Sequence, residues 1–174
     1  MSMGLISMII HVTAAVAFVG PQLLMFYAVT PASWLIEDEA LKRQVIAVIA
    51  RRFGALAGIS LLTLLITGLY QFYTVVPEPI QNEMMDYRFG MIFVTKMTMF
   101  TVVLVLVLLH AMIFSRRIRR ISEAVDAGEA TSADLEAARM RSFLFSALLM
   151  LVSIATLWLG VTLGHAEYSY VFNG

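Results

Sequence analysis

Four apolar stretches, residues 5–29, 53–72, 89–114 and 143–163, constrain this 174-residue chain more than anything else in it. Each reaches the roughly 20 residues that a helix needs to cross the hydrocarbon layer of a bilayer. The expected fold is therefore all-α, an integral membrane four-helix bundle in a single domain. Composition agrees: 60% of residues are hydrophobic and 14% charged, with a mean hydropathy of +0.86, whereas a soluble domain is about one quarter charged. The chain has no cysteine, which excludes disulfides, thiolate metal sites and thiolate-held iron–sulfur clusters. Any metal must use His, Met, Lys or oxygen ligands. The charge distribution carries no nucleic-acid footprint.

Net charge is zero, but its placement is uneven. Of 12 Lys and Arg, Lys42, Arg43, Arg51 and Arg52 lie in the first connection, and Arg116, Arg117, Arg119, Arg120, Arg139 and Arg141 in the third. Basic loops stay in the cytoplasm. Both termini and the acidic second connection are thus expected outside, in a multi-pass protein of the plasma membrane. The N-terminus lacks the basic start of a secretory signal, so the first helix is expected to be retained.

Along the chain, Gly20-Pro21 interrupts the first span, where proline removes a backbone hydrogen bond and kinks a helix. Residues 34–52 read as a cytoplasmic segment with helical character, with Trp34 as an interfacial anchor. In the second span Gly54 and Gly58 are four apart, a spacing that lets membrane helices approach closely. Pro77-Glu78-Pro79 reads as a stiff external turn. Residues 122–127 read as helical and stop at Gly128, after which Thr131, Ser132 and Asp134 offer helix-start signals.

An ionisable side chain inside a membrane span is costly and marks a paired or functional group. His11 lies about 9 Å below Leu5 at the helical rise of 1.5 Å per residue, and Lys96 about 10 Å below Phe89. With the orientation above, both fall in the outer leaflet, with His165 at the outer end of the fourth span. No carboxylate lies at the depth of Lys96, so its amine must be neutral, reach the interface, or meet an anionic group such as a propionate or phosphate. His110 lies about 21 Å further in than Lys96, with no second inner histidine, and reads as an interfacial residue. His11 and His165 could supply a bis-histidine haem site between apolar helices, and Lys96 a second ligand or propionate partner. Copper competes for the same residues, since Met1, Met3, Met8, Met84, Met85, Met91, Met97 and Met99 are expected in the outer half and thioethers with imidazole suit Cu(I). No nucleophile–base motif, phosphate loop or buried carboxylate pair is visible.

His11, the run RRFGALAGISLLTLLITGLYQF from Arg51 and YRFGMIFVTKMTMF from Tyr87 resemble the membrane domain of copper resistance protein D. The first-helix histidine and third-helix lysine are also similar to HemJ-type protoporphyrinogen oxidases, which are haem b-binding membrane proteins. The resemblance to copper resistance protein D covers roughly the first two thirds of the chain, and the HemJ-type resemblance implies that His11 and Lys96 are the functional pair. The resulting expectation is a haem b-binding membrane protein in electron transfer, or a membrane oxidoreductase acting on a quinone or porphyrin. The alternatives are a copper-handling membrane protein and a structural subunit of a larger complex. Homo-oligomer formation is compatible with each.

Overall fold

The computed structural model describes residues 2–172, is 89% helical, and has no strand among those residues. Four helices are long and apolar enough to cross a membrane: α1 over Met3–Trp34, α2 over Glu39–Thr74, α3 over Arg88–Asp126 and α4 over Ser132–Gly164. Their most apolar windows are only 22, 22, 6 and 11% buried, in that order. Most of the Leu, Ile and Val side chains therefore face outward, which water would penalise heavily and lipid would not. This is a multi-pass membrane protein.

The helices outrun the apolar stretches because local chemistry carries them into water. α2 begins at Glu39 rather than at residue 53, since the Asp38 carboxylate caps it, accepting from the backbone N–H of Ala40 at 2.8 Å and Leu41 at 3.1 Å. α3 continues through the arginine run and ends where Gly128 takes a φ of +75°, a left-handed conformation that glycine adopts without strain. α4 starts well before residue 143. Thr131 and Asp134 cap it reciprocally: the Thr131 backbone N–H and hydroxyl donate to Asp134 Oδ2 at 3.0 and 2.6 Å, and the Asp134 N–H donates to Thr131 Oγ1 at 3.3 Å.

α1 passes through Pro21 without ending. Its α-helix over Met3–Leu24 gives way to a π-turn at Met25–Val29 and a closing α-turn at Thr30–Trp34. α3 has a second π-turn, His110–Phe114, at the end of its apolar run. The Pro77 region forms a short helix, Glu78–Asn82, rather than a simple turn.

Contacts divide the chain into two compact units: residues up to Ile92 together with those from Thr162 onward, and residues 93–161. In the first, α1 and α2 form an antiparallel pair. The space beside Gly4 is filled by Val75, the Gln71 side chain reaches Ser7, and the His11 ring meets Thr67 and Gly68. Further along, Ala14, Phe18 and Val19 of α1 and Ala57, Ser60 and Leu61 of α2 are buried. Gly54 and Gly58 are not part of this seam. Both are exposed with nothing within 4 Å of a Cβ placed there, so the expected glycine-mediated approach does not occur at them.

The same unit carries an aromatic cluster that ties the chain's end to the start of α3. Phe89, 2% exposed, stacks on Phe72 with centroids 6.4 Å apart and meets Tyr170 at 5.8 Å. Tyr87 pairs with Phe172 across an isolated β-bridge, and the Arg88 N–H donates to the Val171 carbonyl at 2.9 Å. Burial pushes the Tyr170 hydroxyl pKa up. Gly90 sits under the 84–86 turn, where an added methyl would run into the backbone of Met84 and Met85. Main-chain atoms cannot rotate away, so Gly90→Ala is expected to lower stability by about 1–3 kcal/mol, readable as a lower midpoint of thermal unfolding in detergent. An unchanged midpoint would show that the turn yields freely.

In the second unit α3 and α4 run antiparallel. Lys96 Nζ lies 3.5 Å from the place a Cβ of Gly160 would take, and His110 stacks on Phe145. Between these points Val103 of α3 and Leu149 and Ser153 of α4 are buried.

Candidate functional site

Ser7 and His11 are one helical turn apart on α1, as are Thr67 and Gln71 on α2. Antiparallel pairing lays one polar couple on the other. The Gln71 side-chain amide donates to the Ser7 carbonyl at 3.3 Å, and His11 Nδ1 lies 2.7 Å from Thr67 Oγ1. The ring is half-buried, and its Cε1 lies 3.4 Å from a Cβ placed on Gly68. A bulky side chain at 68 would displace the imidazole.

The direction of the His11–Thr67 bond follows from the hydroxyl's single proton. Thr67 Oγ1 lies 2.6 Å from the Thr63 carbonyl one turn back, and that carbonyl can only accept. Giving the hydroxyl proton to Thr63 leaves the oxygen as an acceptor for His11 Nδ1–H. The tautomer assigned from this pattern is Nδ1-protonated, with the imidazole lone pair on Nε2. A histidine oriented through Nδ1–H by an oxygen acceptor is the usual arrangement behind an Nε2 metal ligand.

Lys96 is half-buried on α3, its Cε and Nζ lying 3.6 and 3.5 Å from the position of a Gly160 Cβ. The missing side chain on α4 leaves the notch that the lysine stem and amine enter. Among the described residues Lys96 forms no ion pair. Its partner, if anionic, is not a carboxylate of α3 or α4 within residues 93–161.

His165 stands at the corner after α4. Its side chain is exposed, while its backbone carbonyl accepts from the N–H groups of Tyr168 and Ser169 at 3.0 and 2.9 Å and from the Ser169 hydroxyl at 3.1 Å. Its local role is therefore to cap the short helix Ala166–Ser169. No hydrogen bond joins the His165 and His11 side chains among the described residues.

His110 packs against aromatic side chains at the end of the apolar run of α3. The ring packs against the Phe114–Phe145 pair, with centroids at 5.7 and 5.9 Å and interplanar angles of 23° and 21°. Nδ1 is buried, without a hydrogen-bond partner among the described residues.

Among the described residues no group of three or more His, Asp or Glu side chains is gathered as an all-protein metal cage would need. Met3, Met8, Met85 and Met91, among the methionines considered as copper ligands, are exposed. The contribution missed at the sequence level is that of Thr67, which reads as one more small residue of α2 until the helices are paired. The complementary i, i+4 polar couples on α1 and α2 are the signal that would have found it. Comparison with protein-family models, with curated proteins and with solved structures yields no match.

Proposed function

We propose that this protein binds haem b through His11 and serves in electron transfer or in quinone- or porphyrinogen-linked redox chemistry, in the plasma membrane with both termini outside. The observation that carries the reading is the His11–Thr67 hydrogen bond, for which the Thr67 hydroxyl's approach to the Thr63 carbonyl favours an Nδ1-protonated ring with its lone pair on Nε2. A single imidazole with an oriented Nδ1–H fits an axial ligand, for which the macrocycle supplies the other four donors, better than a cage of side chains. The resemblance of the His11 and third-helix lysine patterns to haem-binding membrane proteins supports the same choice.

When bound, haem supplies one-electron chemistry that no side chain here can supply. Nε2 of His11 would hold the haem iron. Thr67 keeps the ring from rotating and raises its basicity by accepting the Nδ1 proton's hydrogen bond. Gly68 leaves room for the ring edge. Lys96 presents an ammonium group without a carboxylate partner in its own unit, suited to a propionate or another anionic group. His165 would be the candidate for a second iron ligand.

The deciding measurement is the absorption spectrum of the full protein, expressed with ample haem, oxidised and then reduced with dithionite. A Soret band with sharpened α and β bands on reduction is expected. Protein that is folded yet lacks any Soret band, or that holds stoichiometric copper instead, would overturn the reading.

A further inference from the structure

The residues just past the apolar run of α3 form an open groove of about 580 Å³ lined by Met112, Ile113, Arg116, Arg117, Arg120 and Ile121. Positions 113, 116, 117 and 120 follow the i, i+3, i+4, i+7 pattern of one helix face, so the three guanidinium groups are stacked along a single stripe. Each is exposed, and among the described residues none has an acidic partner. The fourth arginine of the run differs: Arg119 pairs with Glu123 at 3.7 Å. The helix thus neutralises the arginine beside the groove and leaves the three inside it uncompensated.

The groove is also two-sided in chemistry along its length. Met112 and Ile113, 47 and 51% exposed, belong to the last turn of the apolar segment, while the arginines begin within one turn after it. A guanidinium presents a planar fork of donors that matches phosphate oxygens in pairs. A ligand suited to both halves carries an anionic phosphate at one end and hydrocarbon close to it at the other, as a phospholipid does across its glycerol.

We infer that this groove is a binding site for one anionic phospholipid, its headgroup phosphate held by Arg116, Arg117 and Arg120 and the start of its acyl chain lying on Met112 and Ile113. Neither a free phosphate nor a nucleic acid would use the apolar half. The site does not depend on haem.

Native mass spectrometry of the full protein in a neutral detergent tests it, with titrations of phosphatidylglycerol, of phosphatidylcholine with the same acyl chains, and of inorganic phosphate. Near-surface attraction worth about fivefold in affinity per arginine predicts that wild type retains one phosphatidylglycerol at least tenfold more tightly than phosphatidylcholine. The triple change Arg116→Gln, Arg117→Gln, Arg120→Gln removes that preference, and Arg119→Gln leaves it intact. Should the triple variant fail to fold, Arg120→Gln alone, which leaves the two neighbouring arginines in place, reduces the preference by about fivefold. Raising salt weakens wild-type retention of phosphatidylglycerol but not of phosphatidylcholine. Equal retention of the two lipids, a preference that survives in the folded triple variant, a loss as large in Arg119→Gln, or displacement of the lipid by millimolar inorganic phosphate would each overturn the assignment.

Discussion

If the proposed haem site is right, His11→Ala is expected to abolish the Soret absorbance of the purified protein, and Thr67→Val to weaken haem retention by about 10–100-fold while leaving some bound, the range seen when an outer-shell partner of a metal-ligating histidine is removed. The two variants differ in what they take away. Alanine at 11 removes the nitrogen proposed as the ligand. Valine at 67 keeps nearly the shape of threonine but deletes the oxygen 2.7 Å from His11 Nδ1, so the ring keeps its ligand atom and loses its orientation. Thr67→Ser, which restores the hydroxyl, should recover most of the retention, and a purely structural hydroxyl would not produce that ordering. His165→Ala reports the second axial position: loss of a low-spin spectrum with haem still bound assigns His165, and an unchanged spectrum removes it. Wild-type haem content in folded His11→Ala would end the proposal for His11.

His110→Phe is expected to raise stability by about 1–3 kcal/mol, the cost of a buried polar atom left without a partner. In the wild-type protein the imidazole packs beside Phe114 and Phe145, whose own centroids are 4.7 Å apart, and brings a ring nitrogen that finds no partner among the described residues. A phenyl ring fits the same near-parallel stack without the nitrogen. His110→Ala, by contrast, leaves that space empty and should cost about 2–4 kcal/mol. Thermal unfolding of the three proteins in one detergent compares them directly. A destabilised His110→Phe would mean that the nitrogen, or the smaller ring, is needed where it stands.

Why the packing partners of His110 were not legible in the sequence, while the helix ends were, comes down to the range of the physics involved. Asp38, the Thr131/Asp134 pair and Gly128 act on backbone groups within a few residues, so their consequences can be read along the chain. Even the departures were matters of extent: α2 and α4 began before their apolar runs because charged helix-forming residues continue a helix that lipid no longer requires. Four spans, an all-α class and residence in a membrane follow from hydrophobic length alone.

The partners of each polar side chain belong to a different scale. His11 and Thr67 are 56 positions apart, and a shift of one helical position would turn His11 toward lipid instead. The antiparallel register of α1 and α2 is chosen by the sum of many small contacts, among them Gly4 with Val75 and Ser7 with Gln71. Gly54 and Gly58 had the right spacing for close approach and still face outward, because spacing records which residues share a face and not which face is covered. Sequence by itself determined the number of spans, their caps and the scarcity of ionisable groups within them. Only tertiary structure decided that His11 meets a hydroxyl, that Lys96 enters a notch left by Gly160, and that His110 packs against Phe145 as well as Phe114, since those outcomes depend on helix register, which no local signal encodes.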